Sequence, residues 1–232
     1  MTDYNRSEKA QKIFKNKRKP KNPIRFKIQL NEEQKTAKSI ILDNPITLLK
    51  GGAGSGKTLL ACNVGLDLLF RKEIDKIVIT RPTVSKEEIG FLPGDIREKM
   101  DPWLAPIYSN LYMLYDKDKI DKEIANENIE IAPFAFMRGR TFVNSLIIVD
   151  ECQNLTDSQT ELILGRLGRE SLMIFCGDLA QSDINKKKSG ISFFKTLETR
   201  VEGVNVIDLK TNHRHEIVEP ILKIYDDYRD MV

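Results

Sequence analysis

The 232-residue sequence predicts a three-layer α/β fold around a mostly parallel sheet. Two observations predict it. Six short apolar runs alternate with helical or loop segments, the pattern of a parallel sheet covered on both faces. Several of those runs also stop at glycines or acids, and ligands on such sheets collect at the carboxyl ends of strands.

In chain order, "NEEQKTAKSIILD" has helical spacing and precedes the first run, Ile46–Leu49. A cluster of glycines follows. After it Leu59, Leu60, Val64 and Leu68 recur at helical spacing, so strand, loop and helix come in immediate succession. The remaining runs are Lys76–Thr80, Ile129–Ile131, Leu146–Val149, Leu172–Phe175 and Val204–Ile207. The longest detour separates Thr80 from Ile129. There "FLPGDIREKMDPWLAPIYSNLYMLYDKDKIDKEIANE" reads as helices inserted over about 84–128, an elaboration of the core and not a separate domain.

Net charge is only +3, but Lys9–Lys27 carries nine Lys/Arg and no acid, broken by Pro20 and Pro23. Residues 1–27 therefore read as a basic flexible arm, either a contact for phosphate backbones or a solubilising tail. Residues 28–232 read as a single domain. Cys62, Cys152 and Cys176 stand far apart without metal-ligand spacing, which points away from disulfide stapling and towards a reducing compartment. No segment approaches the ~18 apolar residues of a membrane span, and the basic N-terminus lacks the apolar region of a signal peptide. A cytoplasmic protein without membrane contact is expected.

"LLKGGAGSGKTLLACNVGL" places four glycines in six residues, Gly51, Gly52, Gly54 and Gly56. So much bare backbone suits a large ligand that must approach the main chain. Gly51, Gly56, Lys57 and Thr58 fit G-x-x-x-x-G-K-[ST], in which loop N–H groups and a helix start surround nucleotide phosphates. The expected nucleotide-binding residues are thus Gly51, Gly52, Ala53, Gly54, Ser55, Gly56, Lys57 and Thr58.

"SLIIVDECQN" climbs through apolar residues and stops at Asp150 and Glu151. In a phosphate-loop NTPase the first acid holds Mg²⁺ together with the loop hydroxyl, here Thr58, and the acid after it activates the attacking water. "LMIFCGDLAQSD" repeats the arrangement at a third strand end. Its Gln181 can touch a γ-phosphate or its water, while Asp178 also reads as a helix N-cap.

At this level of detail the sequence resembles the PhoH family, a single-core branch related to superfamily 1 helicases. "LNEEQ", "GGAGSGKT", "TRPTV", "IGFLPGDIREKMDPWLAPIY", "IEIAPFAFMRGRTF", "IIVDECQN", "GDLAQSD" and "TNHRHEIV" carry the resemblance from Gln29 to about Tyr228. It implies a RecA-like phosphate-loop NTPase core that uses ATP and Mg²⁺, with Gln34 recognising adenine. It further implies that Arg81 faces nucleic acid, with Arg138 and Arg140 as additional basic candidates, and that Arg214 is the arginine reaching the γ-phosphate.

Taken together, the implied activity is Mg²⁺-dependent ATP hydrolysis coupled to nucleic acid, with single-stranded RNA as the expected partner. Lys57, Glu151, Gln181 and Arg214 are the expected catalytic residues, and Thr58 and Asp150 the metal ligands. An ATP-gated nucleic-acid clamp with little turnover is the alternative. The chain has room for one ATPase core, so helicase activity would need a homo-oligomer, such as a hexameric ring. Arg214 would then act on a neighbouring subunit's ATP.

Overall fold

The computed structural model describes residues 24–82, 96–185 and 189–218, with 220, 221, 224, 225 and 228. Most of the basic arm and the first part of the expected insertion, 83–95, lie outside the described residues. Six strands form one sheet: β1 (Ile46–Lys50), β2 (Lys76–Arg81), β3 (Ile129–Pro133), β4 (Ser145–Val149), β5 (Leu172–Gly177) and β6 (Val204–Asp208). Each apolar run of the sequence became one of them.

All neighbours pair in parallel, in the order β3-β2-β4-β5-β1-β6. Parallel pairing aligns the carboxyl ends on one edge of the sheet. β1, which leads into the glycine cluster, lies between β5 and β6, and β5 separates it from β4 with its acids.

Alternate residues of the central strands feed two cores. Ile77, Ile79, Leu146, Ile148, Leu172 and Ile174 point to one face, where they pack with α1 (Glu32–Asp43), α2 (Lys57–Phe70), α3 (Ile96–Leu114) and α4 (Lys117–Ala125). Val78, Ile147, Val149, Met173 and Phe175 point to the other, under α5 (Asp157–Leu164) and α6 (Phe194–Arg200). That is the three-layer arrangement. A fully buried side chain of this kind contributes ~1.5–3 kcal/mol relative to exposure, so the unbroken burial of β4 and β5 anchors the sheet's centre. β4 and β5 in turn hold the acid-bearing strand ends in place.

α3 and α4 lie between β2 and β3. α3 packs on α2 through Leu104, Ile107 and Leu111, within the main core. α1 begins with a capping box: the Asn31 side chain accepts the Gln34 N–H, and the Gln34 side chain accepts the Asn31 N–H.

Candidate active site

From Lys50 the chain turns through the glycine cluster into α2. Gly54 and Gly56 hold left-handed backbone, at φ 88° and 79°, where a side chain would be strained and crowded. A Cβ on Gly54 would lie 2.7 Å from Arg214 Cγ, and one on Gly56 would lie 2.8 Å from Gln34 Nε2. Gly56 caps α2 without any side-chain hydrogen bond, and the helix has no acid in its first turn. The first N–H groups and the positive end of the helix dipole are thus open to an anion. Lys57 Nζ folds over the loop and donates to the carbonyls of Gly51 (2.6 Å) and Gly52 (3.0 Å). The Ser55 N–H donates to Gly52 O at 3.2 Å, closing the turn around Ala53.

β4 delivers Asp150 beside this loop. Thr58 Oγ1 donates to Asp150 Oδ1 at 2.6 Å, joining residues far apart in sequence. Asp150 is only 6% exposed, and burial pushes its carboxyl above the usual carboxylate range against the opposing Thr58 hydrogen bond. A desolvated carboxylate beside a hydroxyl is a donor set for a hard cation. Among the described residues no three His, Cys, Asp or Glu gather to hold a metal alone.

Glu151 follows in left-handed backbone, φ 50° and ψ 39°, a conformation that costs a non-glycine residue on the order of 1 kcal/mol or more. Its carboxylate is doubly engaged. Gln153 Nε2 donates to Oε2 at 2.6 Å, and Arg81 Nη2 lies 3.4 Å from Oε1. Gln153 is buried and also accepts the Asp178 N–H at 3.2 Å, so one amide ties the end of β4 to the end of β5. Asp178 caps its own turn through Ala180 N–H and receives Gln181 Nε2 at 2.7 Å.

These groups line a cleft of about 330 Å³ that brings together Lys57, Thr58, Asp150, Glu151, Gln181 and Arg214. Ala53, Gly54 and Gly56 supply its loop wall, and Asn110 reaches it from α3. Arg214 lies over its own chain's Gly54. The segment after β6 that carries it is hydrogen-bonded to the loop of the same chain, so within one chain Arg214 already stands beside the phosphate loop. Leu209 N–H donates to Lys50 O at 2.8 Å and His213 N–H to Gly54 O at 3.0 Å. Gln34 is buried in the first turn of α1, with its amide 3.3 Å from His213 Nε2.

The three arginines expected to meet nucleic acid differ in setting. Arg81 ends β2 and faces Glu151. Arg138 is exposed after the short turn that follows β3. Arg140 is bound bidentately to Glu130 at 2.6 and 2.8 Å, and its guanidinium lies 4.6 Å over the Phe142 ring. It is held at the sheet edge by these partners and is not among the residues lining the cleft.

A sequence model of the family described as PhoH-like protein matches residues 27–226. The chain belongs to this family. PhoH-like proteins of Synechocystis and Bacillus subtilis are each 42% identical to it, over 80% and 76% of this chain and 58% and 56% of their own lengths. Protein PhoH of Escherichia coli is 39% identical over 66% of this chain and 44% of its own. The chain thus spans about half the length of the curated relatives it matches. Among solved structures, the UvsW helicase of bacteriophage T4 aligns at a TM-score of 0.50 and 15% identity, over 89% of this chain and 68% of that one. The large terminase of a thermophilic bacteriophage aligns at 0.50 and 8%, over 78% and 46%. These likenesses show the fold, a RecA-like core.

Within this PhoH-like core, several residues that shape the cleft carried no sequence signal of their own. Gln153 sits two places after Glu151, and nothing in the sequence marks its amide as buried. Glu33 accepts the Lys210 and Thr211 N–H groups at 2.7 and 3.1 Å, which lowers its carboxyl below the ordinary value. Nothing local distinguishes it from the other acids of α1. The three cysteines are free and buried, and burial pushes their thiols up. No helix among the described residues is long and apolar enough to cross a membrane.

Proposed function

We propose that this chain is a Mg²⁺-dependent ATPase whose hydrolysis is coupled to nucleic acid, with single-stranded RNA as the partner. The observation that carries the reading is the 2.6 Å contact between Thr58 Oγ1 and Asp150 Oδ1, made beside an uncapped helix start and immediately before Glu151. Loop N–H groups and Lys57 would hold the β and γ phosphates. Thr58 and Asp150 would hold Mg²⁺, which when bound neutralises phosphate charge. Glu151 would accept the proton of the attacking water, with Gln181 and Arg214 against the γ-phosphate. Gln34 would face adenine.

In this reading residues 28–232 form one ATPase domain with a helical insertion, and the basic arm 1–27 joins Arg81 and Arg138 as nucleic-acid contacts. The protein works in the cytoplasm as a homo-oligomer such as a ring, with any RNA unwinding supplied by the assembly. A second reading has its own observation. Both oxygens of Glu151 are occupied by Arg81 and Gln153, as suits an ATP-gated clamp with little turnover. Turnover measured at fixed salt, with and without Mg²⁺, against RNA, single-stranded DNA and duplexes tests both. Mg²⁺-dependent turnover that RNA raises supports the ATPase, whereas tight binding with negligible turnover throughout supports the clamp. Fixed salt matters because phosphate contacts weaken steeply with ionic strength.

A further inference from the structure

The chain contains two histidines, His213 and His215, one on each side of Arg214, and the chemistry above uses neither. Residues 209–214 form a strap along the phosphate loop and the start of α1, held through Lys50, Glu33 and Gly54. Within it the His213 ring meets two side-chain amides. Its Nε2 lies 3.3 Å from Gln34 Nε2 and 3.5 Å from Asn31 Nδ2.

The capping box dictates which way those amides point. Asn31 Oδ1 accepts the Gln34 N–H at 2.8 Å, and Gln34 Oε1 accepts the Asn31 N–H at 3.2 Å. With both oxygens committed, the atoms facing His213 are amide nitrogens, which only donate. His213 Nε2 therefore carries the lone pair and the ring proton sits on Nδ1. His215 is the reverse case. Its Nδ1 faces the Ile217 N–H at 3.4 Å, so its proton belongs on Nε2.

We propose that neutral, Nδ1-protonated His213 is a positioning residue that orients the Gln34 amide towards the nucleobase and so sets a preference for adenine over guanine. The inference rests on the reading that Gln34 faces the base. With one amide hydrogen given to His213 and one lone pair to the Asn31 N–H, Gln34 keeps one donor beside one acceptor. Adenine presents N7 as acceptor beside the N6 amino donor, whereas guanine presents two acceptors, N7 and O6. An amide held in the matching orientation meets adenine's edge without first being ordered, whereas one free to flip loses part of that advantage, and guanine leaves one acceptor facing the amide oxygen in either orientation. Gly56 makes room for the arrangement, since a Cβ there would lie 2.8 Å from Gln34 Nε2 and 3.6 Å from His213 Cδ2.

Two measurements test this. Long-range ¹H–¹⁵N spectra of the nucleotide-free protein at neutral pH should show two neutral imidazoles of opposite tautomer, with His215→Gln leaving the Nδ1–H ring. An Nε2–H ring at His213 overturns the proposal without any appeal to nucleotide. The second measurement is binding and turnover of ATP and GTP by His213→Leu and His213→Gln. His213→Leu removes the acceptor and should raise the Kd and KM for ATP roughly tenfold, shrink the ATP-over-GTP preference, and change kcat far less. His213→Gln, whose oxygen can accept, should recover most of the loss. A wild-type preference in His213→Leu, or a His213→Gln as poor as His213→Leu, overturns the role. Wild-type protein that binds no ATP overturns the ATPase reading and the adenine preference together, whereas the wrong tautomer overturns the His213 contact alone.

Discussion

Two carboxylates of the sheet face arginines, and the two pairs are built in opposite ways. On β3, Glu130 takes both nitrogens of Arg140 at 2.6 and 2.8 Å, accepts Lys76 Nζ at 2.8 Å, and sits on relaxed strand backbone. Past the end of β4, Glu151 meets Arg81 through one nitrogen at 3.4 Å, from a left-handed backbone. Bidentate geometry with a second cation gives a pair that nothing nearby needs to break. A single long arginine contact beside a strained residue is easily exchanged for another partner, with Gln153 still holding the other oxygen of Glu151. An acid and an arginine together are therefore uninformative; the number of contacts and the backbone beneath them separate a brace from a working group.

The largest expected effect lies on the cleft side. Arg214→Ala should lower ATP turnover by ~10³ or more with ATP binding reduced only modestly. Because Arg214 lies over its own Gly54, mixing it with Lys57→Ala should restore nothing. Recovery of turnover in the mixture would show that the arginine serves a neighbouring chain. Glu151→Gln should slow turnover by ~10²–10⁴ while ATP binding and melting temperature stay near wild type. If binding falls as far as the rate, Glu151 resembles Glu130 and the contrast collapses.

Acid-to-amide changes at the two ends should move stability in opposite directions. Arg140 holds the Glu130 carboxyl at about 2, below its ordinary 4.5. That pair contributes stability above the ordinary value, and the contribution is lost as pH falls from about 4.5 to about 2. Glu130→Gln should therefore cost ~1–3 kcal/mol near neutral pH, flatten the acid limb, and leave turnover unchanged. Asp150 is the reverse, since burial raises its carboxyl above the ordinary 3.8. Its contribution is favourable below that value and lost as pH rises through the raised one. Asp150→Asn should accordingly raise the melting temperature of the metal-free chain and abolish any further rise on adding Mg²⁺ and ATP. Thermal melts of both variants across pH check the signs.

The smallest effect concerns Arg81. An ion pair of this geometry is worth ~0.2–1 kcal/mol. Arg81→Gln should therefore raise basal turnover by up to about fivefold and reduce the response to RNA. An unchanged basal rate would mean that Arg81 does not restrain Glu151.

Much of this was legible in the chain itself. The six apolar runs, the glycine cluster and the acids after β4 are local patterns, because strand burial, phosphate-loop backbone and a carboxylate at a strand end each depend on a few consecutive residues. The loop needs glycine at particular φ values, and that requirement is written into consecutive positions. Which strand lies beside which was not legible. Parallel pairing joins segments through hydrogen bonds common to every residue, so the insertion of β5 between β1 and β4 left no mark in any side chain. The same reason explains Arg140 and Arg81. Two arginines in similar basic motifs acquired different partners because Glu130 and Glu151 were delivered to them by separate strands. Gln34 and His213, 179 positions apart, meet because the start of α1 and the segment after β6 both lie against the phosphate loop. Sequence by itself determined the chemistry available to this PhoH-like chain, since bond-forming groups belong to residue types. Tertiary structure decided which groups touch, since contact depends on the packing of elements whose order in space no local pattern encodes.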